Sequence, residues 1–118
     1  MIPPHWTAHR REEDGEVLGY LAPAGAGAYT PMTPFGHAAG APSAEAEARA
    51  ALDARGLAYL ADRWLLELPG RAEPVAVRIV EVGPDRMRVA NADFGYEEAD
   101  LGHVFTLDVP EPGRLRPA

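Results

Sequence analysis

The sequence predicts an α+β domain: a mainly antiparallel, curled sheet of about five or six strands, with one main helix (43–55) between strands two and three. Three observations carry this. Apolar and polar residues alternate in several short runs, the period of a half-buried strand. Turn-forming pairs and triplets, among them Asp14-Gly15, Pro69-Gly70 and Gly83-Pro84-Asp85, separate those runs at hairpin length. A single stretch, opening at Pro42-Ser43 and closing at Arg55-Gly56, carries both start and stop signals of a helix.

From the amino terminus, Asp14-Gly15 supplies the positive φ angles of a two-residue hairpin turn. That register sets Glu13 opposite Glu16, Glu12 opposite Val17, Arg11 opposite Leu18 and His9 opposite Tyr20, with Trp6, Ala8, Val17 and Leu21 on one buried face. Glu13 and Glu16 repel in this register, which leaves a longer turn with shifted register as an alternative, and a helix over 4–14 is the rival reading. Residues 23–42 hold too many prolines and glycines for a regular element and read as a long loop. Its Tyr29, Met32 and Phe35 argue that the loop docks on the body, with brief extended pieces.

Ser43 is the expected N-cap of the helix, Glu45 and Glu47 complement the positive end of its dipole, and Glu45 to Arg49 is a favourable i, i+4 pair. Leu52, with Ala44, Ala48 and Ala51, gives a thin apolar stripe that must lie close on a sheet. A helical turn follows at 57–61. Strands are then expected at 63–68, where Trp64, Leu66 and Leu68 alternate, at 74–82, at 87–90 and at 104–109. The tail 110–118 reads as frayed.

A chain of 118 residues fits one domain, 1–118. Of its apolar residues 22 are alanine, so the core is modest. Most of the larger side chains must reach it, at about 1.5–3 kcal/mol each. The chain holds no Lys, Gln or Cys, one Ser (Ser43), one Asn (Asn91) and 11 Arg. That inventory excludes a Schiff base, a phosphate-loop lysine, a thiolate nucleophile and a thiolate metal site. The net charge of −7 is evenly spread and forms no basic stripe, which argues against nucleic acid. No run reaches the length of a membrane span, and a soluble, cytoplasmic protein is expected.

Four stretches could carry chemistry. GAGAYT (25–30) is glycine-rich like a phosphate loop, but Pro31 and Pro34 prevent a following helix from presenting its N-terminus to an anion. TPMTPFGH (30–37) gathers Thr30, Thr33, Phe35 and His37, and the stretch 25–40 with Trp64 yields a candidate ligand-binding set: Tyr29, Phe35, His37 and Trp64. His5 and His9 share a face only on a helix; on a strand they stand about 13 Å apart, too far for one ion. DFGYEEADLGH (93–103) concentrates Asp93, Glu97, Glu98, Asp100 and His103 without the spacing of a calcium loop or a zinc helix, and suits contact with a basic partner better than a metal. No catalytic residue, metal ligand or cofactor is assigned.

Arg11-Glu12-Glu13-Asp14-Gly15-Glu16 with GYL after it, then TPFG, AEAEARAALDARGL, YLADRW and VRIVEV, together resemble a family of short uncharacterised proteins common in GC-rich bacterial genomes. The resemblance covers most of the chain. It implies that hairpin and loop belong to one architecture, and it supplies no site.

The leading expectation is a small acidic, non-enzymatic interaction or accessory module that binds another protein or itself as a homodimer. The alternatives are a small-ligand-binding domain using loop 25–40, and an enzyme with His37 or His103 and a carboxylate as acid and base.

Overall fold

The structure, a computed structural model, describes residues 1–118. It is α+β with two antiparallel sheets. The first contains β1 (Thr7–Arg10), β2 (Val17–Pro23) and β3 (Tyr29–Met32) in that order. The second contains β4 (Trp64–Leu66), β5 (Val75–Val82), β6 (Arg86–Asn91), β7 (Val104–Asp108) and β8 (Leu115–Pro117), ordered β7-β6-β5-β4-β8. The helix α1 (Glu45–Arg55) and a 3-10 turn (Ala58–Leu60) connect the two.

The expected single curled sheet is therefore corrected to two sheets, and the helix follows strand three instead of preceding it. Both differences come from residues 29–32, which a proline-rich sequence disguises as loop. Pro31 lies opposite Leu21, yet the amide it lacks would point away from β2. On that outer side the Pro31 carbonyl accepts from the Ala39 amide, and Tyr29 exchanges both backbone bonds with Ser43. A proline on the outer side of an edge strand forfeits no ladder bond. The same contacts cover the outer edge of β3, so no strand of the second sheet can join it there.

The hairpin forms, with a shifted register. His9 faces Gly19 instead of Tyr20, and the turn runs over Glu12 to Gly15, closed by the Arg11 amide donating to the Glu16 carbonyl. The longer turn separates Glu13 from Glu16. It also lets the Asp14 carboxylate accept from the Glu16 amide and from the Arg11 guanidinium at 2.6 Å. Those bonds, Arg11 first, hold the Asp14 carboxyl down at about 2. Between His9 and Arg10 the pairing slips by one residue, so β2 carries an extra residue at Leu18. That bulge lets Leu18 and Leu21, three apart, reach the same small core as Ala48 and Leu52 of α1. The expected buried face of Trp6, Ala8, Val17 and Leu21 is accordingly replaced: of these four only Leu21 is fully buried. Gly19 permits the close approach, because a Cβ there would lie 2.2 Å from the Met32 carbonyl oxygen and 2.8 Å from Leu52 Cδ2.

Ser43 is not the N-cap. Ala44 holds that position without a side-chain bond, since the Ser43 backbone is committed to Tyr29. The Glu45–Arg49 pair forms at 3.1 Å, and Ala48 and Leu52 are the buried stripe.

The larger core lies on one face of the second sheet, where Trp64, Leu66, Val75, Val77, Ile79, Met87, Val89 and Leu107 meet Phe35 and Tyr59. The tail is not frayed. Leu115 is 1% exposed and its strand pairs with β4, while the Pro110–Gly113 turn before it is held by buried Glu111. No helix is long and apolar enough to cross a membrane.

Candidate functional site

The four residues expected to bind a ligand divide. Phe35, His37 and Trp64 come together; Tyr29 does not, being half-buried against the small core under α1. Phe35 is fully buried and sits edge-on to three rings, His37 at 4.8 Å, Trp64 at 5.4 Å and Tyr59 at 5.5 Å between centroids. Offset and edge-on geometry is what the ring quadrupoles favour, so the cluster is a packed core in itself. None of the surface cavities is lined by Tyr29, Phe35 or His37, and Trp64 borders only an open one beside Arg55, Asp62 and Arg63. The four do not line one pocket.

His37 has a partner that the sequence did not announce. Its Nε2 lies 2.9 Å from Oε1 of Glu111, whose side chain is 1% exposed. The same carboxylate accepts the backbone amides of Gly113 at 2.8 Å, Leu115 at 3.1 Å and Arg114 at 3.2 Å. The Thr33 hydroxyl accepts from the His37 amide at 3.0 Å. A histidine oriented by a carboxylate is half of an acid-base constellation. Here the carboxylate is saturated by donors, the nearby Thr33 hydroxyl accepts from the His37 amide, and neither His37 nor Glu111 lines a cavity. The arrangement staples the proline loop to the turn before β8.

A second histidine pair occurs at the surface of the first sheet. His9 Nε2 lies 2.6 Å from Asp53 Oδ1, and Arg49 Nη1 donates to His9 Nδ1 at 3.0 Å. With the guanidinium donating to Nδ1, the imidazole proton is on Nε2 and is donated to Asp53. Both ring nitrogens are thus occupied, leaving none to take a proton from a substrate. The pair ties β1 to α1 across 44 residues of sequence.

The acidic stretch 93–103 is organised by the chain's one asparagine. Buried Asn91 donates through Nδ2 to the carbonyls of Ala99 and Asp100 and accepts from the Asp93 amide. Asp93 in turn accepts the amides of Ala76 and Gly95, and these bonds hold its carboxyl below the usual 3.8. Because the folded state depresses this pKa, its contribution to stability is complete above pH 3.8 and is lost as pH falls through the folded value. Asp93→Asn offers one oxygen to two amides, so its Tm is expected to lie below wild type at pH 7. Thermal melts across an acid series should show that gap closing below pH 3.8; a gap independent of pH would refute the assignment. Glu97, Glu98, Asp100 and His103 remain exposed and converge on no common ion site.

The same segment exposes apolar surface. Phe94 is 87% exposed and Leu101 and Val104 are also open, on a chain whose other aromatics are buried or half-buried. Val104 begins β7, the outermost strand of its sheet. The Asn91 amide donates to the His103 carbonyl and the Val109 amide to the Asp85 carbonyl. In an antiparallel ladder that phase turns Phe105 and Leu107 toward β6, and the backbone groups of Val104, Thr106 and Asp108 outward. Comparison with protein-family models, with curated proteins and with solved structures finds no match.

Proposed function

We propose that this protein is a non-enzymatic interaction module that associates with a second copy of itself through the edge of β7. The unpaired edge beginning at exposed Val104 carries the reading. Long, uncovered sheet edges are templates for pairing, and soluble proteins otherwise block them with bulges, prolines or inward charges. β7 has none of these.

Register and charge favour a second copy as the occupant. An antiparallel pair centred on Thr106 sets Thr106 against Thr106 of the second copy and Val104 against its Asp108. No charge then meets a like charge, and the outward amides and carbonyls at all three positions are satisfied. On the solvent face, Asp108 already neighbours Arg86 of β6, and Val104 continues a row through Ala90 to Arg78. Neither Arg78 nor Arg86 has an ion pair within its own chain. Pairing brings the acidic 93–103 connection of one copy toward the end of β7 where Arg86 lies in the other.

Thr106→Pro tests this directly. The amide it removes points away from β6, so the ladder within the domain survives. Size-exclusion chromatography with light scattering should show wild type passing from monomer to dimer with concentration, while the variant stays monomeric with an unchanged circular dichroism spectrum. Wild type that remains monomeric up to about 100 μM, or a dimer indifferent to the proline, would overturn the reading.

A further inference from the structure

The two sheets do not meet flush. Between them lies a cavity of about 280 Å³, walled by Arg10, Glu16 and Tyr20 of the hairpin, Pro34 of the proline loop, Tyr59 of the 3-10 turn and Val82 at the end of β5. It is remote in sequence from β7 and is independent of the association proposed above.

Its polar groups are unspent. Tyr59 is only 9% exposed, and its hydroxyl makes no hydrogen bond within the protein, although its carbonyl accepts from the Trp64 indole. Every side-chain nitrogen or oxygen closed off from solvent has a partner, so the Tyr59 hydroxyl keeps access to solvent, and Tyr59 is one of the residues that line the cavity. Tyr20 is half-buried. Burial raises the pKa of both phenols, with Glu16 adding to the rise at Tyr59 and Arg10 opposing it at Tyr20. Both are therefore neutral hydroxyls near neutral pH, with Arg10 on the Tyr20 side and Glu16 on the Tyr59 side. Arg10 spends one nitrogen on the Gly15 carbonyl and has no ion pair. Glu16 has no ion pair either, so these opposite charges border one space without reaching each other.

We infer that the cavity binds a small zwitterion of amino-acid size, its carboxylate on Arg10 and its ammonium on Glu16, with the Tyr20 and Tyr59 hydroxyls completing the cradle. The volume of about 280 Å³ lies just below the ~300–1,000 Å³ range of ligand pockets, which limits the occupant to few heavy atoms. Arg10 and Glu16 are both exposed at the mouth of the cavity, so a ligand with one charge would engage only one of them. A zwitterion answers both. Because the walls come from both sheets, binding should also raise the melting temperature.

Calorimetric titration and thermal melts with glycine, L-alanine and L-serine test this, with acetate and methylammonium as single-charge controls. The amino acids should bind with Kd at or below about 1 mM and raise Tm, while each control binds at least about tenfold more weakly. Arg10→Gln, Glu16→Gln and Tyr59→Phe should each weaken binding by about tenfold or more. Tyr59→Phe keeps the ring edge against Phe35, so its folded spectrum separates lost binding from lost structure. No heat and no Tm rise with any amino acid at about 5 mM, acetate binding as tightly as alanine, or affinities untouched by the Arg10 and Glu16 changes would each overturn the assignment.

Discussion

Phe35→Ala is expected to lower the free energy of unfolding by about 3–5 kcal/mol. The side chain is wholly enclosed and touches ring systems from three separate parts of the chain: His37 of its own loop, Tyr59 of the 3-10 turn and Trp64 of β4. Removing it takes a large apolar surface out of the interior and leaves a void that cannot easily collapse. On one side it is bounded by the sheet; on the other, Gly36 is pressed against Pro110, where even a Cβ would come within 2.6 Å. Lost edge-on contacts add about 0.5–1.5 kcal/mol per aromatic pair beyond area alone. Small domains are stable by roughly 5–15 kcal/mol in total, so the loss is a large fraction. Urea titration followed by circular dichroism should show a lower midpoint at similar slope. Phe35→Leu, which refills part of the space, should lie between the two. A cost below about 1 kcal/mol for alanine would mean that the loop does not dock as described.

That prediction rests on a residue that the sequence expects to dock on the body. TPMTPFGH reads first as a packed loop, with a ligand pocket as its alternative, and the structure assembles Phe35, His37 and Trp64 as mutual packing. Local pattern shows which side chains a loop carries. It does not show whether they turn in or out, because that depends on what the rest of the chain leaves uncovered. The strands β5, β6 and β7 were legible because alternation is a local property with a fixed period. β3 and β8 were not: each is short, contains proline, and is a strand only because a distant partner offers an edge, β2 in one case and β4 in the other. The hairpin register failed for a similar reason. A bulge that serves the contact of Leu18 with Leu52 leaves no mark in the hairpin itself. Two signals were present and unread. Asp14-Gly15 preceded by four charged residues fits an Asp-stabilised longer turn as well as a two-residue one. A lone Asn at the end of a strand, followed by Asp and Gly, is the composition of a loop held by side-chain bonds to backbone.

Glu111→Ala should cost about 3–5 kcal/mol, the range for removing one partner of a buried charged network. The sequence reads Glu111 as part of a frayed tail; the structure makes it the hub of a buried hydrogen-bond network. Its two oxygens take the amides of Gly113, Arg114 and Leu115 and the imidazole of His37, 74 residues away. Truncation leaves those donors facing protein, each carrying a desolvation cost of about 1–3 kcal/mol where water cannot enter. Glu111→Gln separates charge from connectivity. Its one oxygen keeps the position that serves Gly113, Leu115 and His37, while its amide nitrogen confronts the Arg114 amide, donor against donor. The glutamine variant should therefore fall between wild type and alanine. A double-mutant cycle with His37→Phe should return a coupling of about 0.5–3 kcal/mol, the size found for residues sharing one network. Guanidinium unfolding of the four proteins measures all three quantities. If alanine costs less than about 1 kcal/mol, β8 is held by its pairing with β4 alone, and the buried carboxylate is a passenger. If alanine is costly but the cycle closes to zero, Glu111 acts only through the three amides that shape the turn, and His37 merely lies beside it.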